Sequence, residues 1–244
     1  MKKSNSFRLR VLLIFFAFVL IFSFTVFCFI CFAGKDIPER ETSFDGATSN
    51  APIVIIDAGH GGEDGGTVGI NGVYEKDLNL KIAKKLDTML KSAGIRTVMT
   101  RTTDILLYDR NEDYEGRKKM LDMAKRLKIS ESYENAIFIS IHMNSFPVSK
   151  YSGLQVYYSP NDPLSRELAE RIQVMTKDAL MQENTRKIKA SNGKIFLLDR
   201  MNIPSVLIEC GFLSNPAECD KLCDEAYQNE LAATICCAIL EHID

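Results

Sequence analysis

A three-layer α/β sandwich with a mostly parallel central sheet, preceded by one N-terminal transmembrane helix, is the fold class that this sequence predicts. Three observations lead to it. The first 33 residues are basic and then apolar, quite unlike the rest. Beyond residue 50, short β-branched runs alternate with longer runs at helical spacing. Glycine, asparagine and proline punctuate the junctions between them.

From Val11 to Ala33 the chain carries 23 residues without a charge. At about 1.5 Å per residue such a run reaches about 35 Å, enough to cross a hydrocarbon core of about 30 Å. Lys2, Lys3, Arg8 and Arg10 precede it and Asp36 follows, which places the N-terminus in the cytoplasm and the remainder outside. A cleaved signal peptide has a shorter apolar core, about 7–15 residues, and a small-x-small cleavage site that Cys31-Phe32-Ala33 supplies poorly. Residues 1–33 therefore read as a cytoplasmic tip and uncleaved anchor, 34–50 as a polar, flexible tether, and 51–244 as one domain. That domain is long enough to bury a full core without disulfides. The expected location is membrane-anchored, with this domain outside the cytoplasm.

Setting aside the four N-terminal bases leaves 26 basic residues against 32 acidic ones, a net charge of −6. Such a balance gives no electrostatic basis for binding nucleic acid. Five cysteines lie beyond the span, at 210, 219, 223, 236 and 237, and an odd number cannot pair completely within one chain. Apolar neighbours make Cys219/Cys223 and Cys236/Cys237 read as small buried side chains rather than a zinc knuckle.

Within the domain, Ile53–Asp57, Ile95–Thr100, Ala136–Ile141, Leu154–Tyr158, Ile195–Leu198 and Ser205–Glu209 read as strands. Leu78, Ile82, Leu86 and Leu90 mark a helix at i+4 spacing, closed by Gly94. Leu164, Leu168, Ile172, Met175 and Ala179 mark another, a less regular one covers Lys118–Lys128, and the last runs from about Tyr227 to Ile243. Asn215-Pro216-Ala217-Glu218 is a helix start, with a capping Asn and a Pro at the first helical position.

In such sheets reactive groups gather beyond the carboxyl ends of the strands. His60 follows the first strand within Asp57-Ala58-Gly59-His60-Gly61-Gly62, and His142 follows another within Ser140-Ile141-His142-Met143-Asn144. The third histidine of the chain, His242, reads as a solvated helix-end residue. Glu209 ends an apolar strand, where an unpaired carboxylate is costly. Two neutral histidines and one carboxylate, with a fourth position for water, form the ligand set of catalytic zinc sites. Glu63, three residues after His60, and Glu75, ahead of the first long helix, compete to be the third ligand. Spacing alone favours Glu63.

Asp-Ala-Gly-His-Gly-Gly at 57–62, Glu75-Lys76-Asp77-Leu78-Asn79-Leu80, Ser140-Ile141-His142-Met143-Asn144 and Glu209-Cys210-Gly211-Phe212-Leu213-Ser214-Asn215 stand in the order of one known family. The chain resembles the zinc-dependent N-acetylmuramoyl-L-alanine amidases, the amidase_3 family, over about residues 53–241. It is similar, more narrowly, to the germination-specific amidases of spore formers, with Asn184-Thr185-Arg186-Lys187 fitting that group. The resemblance implies Zn2+ held by His60, Glu75 and His142, no ligand role for Glu63, and Glu209 as the catalytic acid/base. Some relatives carry an inhibitory helix ahead of the second histidine, for which Arg101–Asn135 is too short.

The reaction implied is hydrolysis of the amide between the muramic acid lactyl group and L-alanine of peptidoglycan stem peptides, in spore cortex a step toward muramic-δ-lactam. Glu209 would take the proton of a water activated by zinc and return it to the leaving amine. Asn144 is a candidate substrate contact, with a turn-forming role as the alternative. Asp57 is a candidate to orient His60, with bonding to nearby backbone as the alternative. A membrane anchor without a wall-binding module suggests an exported activator or targeting protein. The competing readings are a zinc carboxypeptidase built on His60, Glu63, His142 and Glu209, and an inactive wall-binding scaffold.

Overall fold

Six strands form one sheet: β1 (Ile53–Ala58), β2 (Thr97–Met99), β3 (Ala136–Asn144), β4 (Gln155–Tyr158), β5 (Lys189–Ala190) and β6 (Ser205–Phe212), in the order β2-β1-β3-β6-β4-β5. All neighbours run parallel except β4, which is antiparallel to β6. The helices are α1 (Glu75–Ser92), α2 (Lys118–Glu131), α3 (Pro163–Leu180), α4 (Pro216–Cys223) and α5 (Glu225–Ile243). This computed structural model describes residues 51–109, 111 and 116–243. The expected span at 11–33 and tether at 34–50 lie outside them, and no helix among the described residues is long and apolar enough to cross a membrane.

Pleating sends successive strand residues to opposite faces. Val54, Ile56, Ile139, Ile141, Val206 and Ile208 face one side, where they are buried with residues of α1, α3 and α5. The α1 row Leu78, Ile82, Leu86 and Leu90 is almost wholly buried there, and each such side chain contributes about 1.5–3 kcal/mol by leaving water. On the opposite face Ile55 and Phe138 meet Met123 and Leu127 of α2 together with Leu197 and Met201. Two covered faces make the three layers. Further along the second face the pleat turns polar, bringing Asp57, Ser140, His142 and Glu209 into neighbouring positions.

Helix ends follow their punctuation. Gly94 comes just after the C-cap of α1 with φ of 84°, and Ile95 N–H returns to the Leu90 carbonyl at 3.0 Å. Asn215 caps α4 by accepting from the Glu218 N–H at 3.2 Å.

Three expectations need correction. Ile195–Leu198 is a turn, because Asp199 collects the Gly193 and Ile195 N–H groups at 3.0 and 3.1 Å and also the Ser191 hydroxyl. Its apolar side chains still enter the core, so burial there signals packing and not a strand. The last strand position on that edge is taken by the two residues of β5, which no apolar pattern marks. Finally, Cys210, Cys219 and Cys236 are buried, but Cys223 and Cys237 are exposed. A single step along α5 carries Cys237 out of the core, whereas Cys223, a full turn beyond Cys219, stands at the last position of α4.

Candidate active site

The loop between β1 and α1, the end of β3 and the middle of β6 meet at one point. His60 Nε2 lies 3.2 Å from Glu75 Oε1, and His142 Nδ1 lies 2.9 Å from the same oxygen. The two imidazoles stand edge to face with ring centres 4.9 Å apart. One ligand-type atom from each of His60, Glu75 and His142 falls within 4.8 Å of the others.

Close backbone approach builds this cluster. A Cβ on Gly59 would fall 2.2 Å from His142 Nε2, and one on Gly66, whose φ is 67°, would fall 2.5 Å from Glu75 Oε2. His60 itself adopts φ of 60°, a left-handed conformation that non-glycine residues hold only when surroundings enforce it. Two buried arginines supply the enforcement. Arg101 donates to the Ala58 carbonyl at 2.8 Å and to the Gly59 carbonyl at 3.0 Å. Arg126 donates to the Ala58 carbonyl at 2.8 Å and the His60 carbonyl at 2.7 Å. It also pairs with Asp57 at 2.5 Å and Asp122 at 2.8 Å.

Glu75 is fixed from several sides. Its Oε1 accepts from the Met143 N–H at 3.0 Å, and its Oε2 accepts from the Thr67 N–H at 2.9 Å. Burial alone would raise the Glu75 pKa, but His142 and His60 beside it hold the group far below the usual carboxylate range. It is an anion. On the far side of the His60 ring, Nδ1 lies 2.9 Å from Asp64 Oδ2. Burial works to lower the His60 pKa, and the hydrogen bonds and charges of Glu75 and Asp64 reverse this to a net rise.

These contacts test the fit of a metal. A neutral imidazole offers one donor and one acceptor, yet both His60 nitrogens face carboxylate oxygens. A protonated ring meets both oxygens, and so does a neutral ring once a cation is held among His60 Nε2, His142 Nδ1 and Glu75, with Asp64 fixing the His60 tautomer from behind. The donor set of two nitrogens and one oxygen suits zinc.

Glu209 is the remaining member. It pairs in register with His142 on β3 and with Gln155 on β4. Its Oε2 is buried without a hydrogen-bond partner among the described residues. Burial is the largest influence on its pKa, which rises to about 7, with Glu75 adding and His142, His60 and Arg186 opposing. A carboxyl group poised near neutrality is suited to give and take a proton. Beside the cluster lies a cleft of about 210 Å³ lined by residues including His60, Asp64, Lys119, Met123 and Phe196.

Of the residues singled out in the sequence, His60, Glu75 and His142 converge, with Glu209 next to His142. Glu63 does not join them: exposed, it accepts from Lys118 at 3.2 Å and Tyr108 at 3.1 Å. The ligand set of a carboxypeptidase-like site is therefore not assembled. Asp57 does not orient His60 directly, since its oxygens accept from Thr100 at 2.7 Å, Ser140 at 2.6 Å and Arg126 at 2.5 Å. Asp64 takes that place. Asn144 ends β3, half-buried, with its carbonyl accepting from the Leu213 N–H at 2.8 Å. His242 is half-buried in the last turn of α5.

Asp64, Arg101 and Arg126 went unread in the sequence. The Asp122/Arg126 spacing on one helix was a signal for the last, because a residue four apart is its neighbour on the helix surface. Asp64 carried none beyond its place in the glycine-rich turn, and Arg101, 42 positions from Gly59, carried none at all.

The chemistry of such a cluster is hydrolytic, and the comparison with known proteins says which bond. Residues 54–241 match the N-acetylmuramoyl-L-alanine amidase family, Amidase_3, and the chain belongs to it. It is accordingly an amidase acting on peptidoglycan. The germination-specific N-acetylmuramoyl-L-alanine amidase of Bacillus subtilis is 36% identical over 190 residues, 78% of this chain and 79% of that one. Among solved structures, the CwlD amidase from Clostridioides difficile, in complex with the GerS lipoprotein, is 39% identical with a TM-score of 0.74, covering 78% of this chain and 98% of that one. The catalytic domain of CwlV from Bacillus (Paenibacillus) polymyxa var. colistinus is 32% identical with a TM-score of 0.66, over 79% and 98% of the two chains.

Proposed function

We propose that the chain is a zinc-dependent N-acetylmuramoyl-L-alanine amidase of the spore cortex, cutting the lactyl–L-alanine amide as a step toward muramic-δ-lactam. The observation that carries the zinc reading is the convergence of His60 Nε2, His142 Nδ1 and Glu75 Oε1 beside Glu209, whose Oε2 has no hydrogen-bond partner among the described residues. Zinc, when bound, supplies Lewis acidity that makes water nucleophilic at neutral pH and offsets charge developing on the carbonyl oxygen. Glu209 takes the proton from the attacking water and returns it to the leaving alanine nitrogen. Asp64 keeps the His60 ring in place through Nδ1, and Thr67 and Met143 hold the Glu75 carboxylate through backbone N–H groups. Asn144, at the open end of β3, is the candidate substrate contact.

The metal assignment separates two glutamates. Glu75→Ala is expected to lose most bound zinc, and Glu63→Ala to keep about one equivalent per chain, as read by elemental analysis. The opposite pattern would return the ligand role to Glu63.

The cortex reading rests on the similarity to the germination-specific amidase. Deleting the gene should abolish muramic-δ-lactam in spore peptidoglycan, and an unchanged lactam content would sink the cortex role. The basic, apolar N-terminus supports anchoring in a membrane with the domain on the outer side. An exported protein partner fits the anchor, and the similar CwlD amidase was solved with a lipoprotein. Full activity of the purified protein with zinc alone would remove the need for one.

A further inference from the structure

Arg186 holds no carboxylate within 4.0 Å among the described residues. It lies on the segment between α3 and the two-residue β5, and its guanidinium lies 4.8 Å from the centre of the Phe212 ring. Arg186 Nη2 donates to Gln155 Oε1 at 2.5 Å, and Gln155 is the residue directly opposite Glu209 in the β4–β6 pair. Gln155 is held in turn by the Lys187 carbonyl, which accepts from its Nε2 at 2.7 Å. A planar cation is thus held, through Gln155, on the strand next to that of the Glu209 carboxyl.

Glu209 and Glu218 feel this charge only at longer range. Arg186 Nε is buried without an acceptor among the described residues. Arginine cannot shed its proton in compensation. Arg186 also lines a cavity of about 450 Å³, in which Arg166, Lys177 and Lys187 are further bases and Glu170 is the one acid. A half-buried guanidinium with no carboxylate in contact, at the edge of a basic cavity, is suited to an anion, most simply a carboxylate.

Which end of the substrate carries that carboxylate follows from Glu209. The group that protonates the leaving nitrogen stands on the leaving-group side, so what lies beyond Glu209 is the departing peptide and not the glycan. The residue after L-alanine bears an α-carboxyl group that exists either free or amidated. We propose that Arg186 determines specificity by reading that carboxylate, so that the chain prefers stem peptides whose second residue is unamidated. This rests on the amidase reading above.

Calorimetric titration of the full zinc-loaded chain with L-Ala-D-Glu and L-Ala-D-isoglutamine, which differ only in the α-carboxyl group, tests it without turnover. The free acid is expected to bind about tenfold to a hundredfold more tightly, the range of a charge-assisted hydrogen-bonded pair. Arg186→Gln should bind both dipeptides equally, at the weaker level, and Arg186→Lys should keep only part of the preference. Equal binding by the wild type would overturn the proposal, as would undiminished preference in either variant. Because the readout is binding, a chain that fails to cleave a muramoyl amide yet prefers the acid would cost the amidase reading and leave this one standing.

Discussion

Glu209→Gln should leave a folded, zinc-loaded protein whose turnover has fallen about 10²–10⁴-fold, the usual loss on removing one positioned acid/base. The amide keeps the size and shape of the carboxyl group but cannot accept a proton at neutral pH. Folding should not suffer. Glu209 Oε2 has no hydrogen-bond partner among the described residues, and burial raises the group's pKa to about 7. A carboxyl group whose pKa is raised on folding opposes the fold as pH climbs above its ordinary value, so a neutral amide is no worse there. Thermal melting, zinc content and rate measured on one preparation decide the matter. Loss of zinc would make Glu209 a ligand, and activity within a few-fold of the parent would place the base elsewhere.

The second large effect concerns stability. Arg126→Met removes the cation that Asp57 and Asp122 share in a buried network, leaves the Ala58 carbonyl to Arg101 alone and strips the His60 carbonyl of its Arg126 donor. Breaking a buried ion pair from one side typically costs about 3–5 kcal/mol, because the orphaned charge stays behind. For a domain of this length that corresponds to a fall in melting temperature on the order of 10 °C. Burial alone would raise the Asp57 pKa, but Arg126 and Ser140 beside it drive it below the usual carboxylate range. Its contribution is therefore complete at neutral pH and is lost only as pH falls through that depressed value. A loss below about 1 kcal/mol in denaturant titrations would show that the network does not need the guanidinium.

Periodicity carried most of the fold. The α1 row at i+4 spacing, the β-branched runs of β1, β3 and β6, and the Asn215-Pro216 start of α4 each state their structure locally. It misled at Ile195–Leu198, where apolar character reports burial alone and the deciding group, Asp199, lies just outside the run. In the site, His60, His142 and Glu209 were legible because polar residues at the ends of apolar strands are expensive without a task. Glu75 was not legible from spacing. Its approach to His142 depends on a loop that folds back between β1 and α1, a long-range closure that no local pattern encodes. Arg101 and Arg126 were hidden for the same reason, since their acceptors are backbone carbonyls more than 40 positions away.

The most direct test of the central assignment is mass spectrometry of the fragments that the purified protein releases from peptidoglycan, with zinc present, removed by a chelator, and restored. The account predicts stem peptides with a free N-terminal L-alanine, together with glycan whose lactyl groups have lost their peptides, all disappearing on chelation and returning with zinc. Peptides trimmed at the C-terminus with the lactyl–alanine amide intact, or release that is indifferent to chelation, would contradict it.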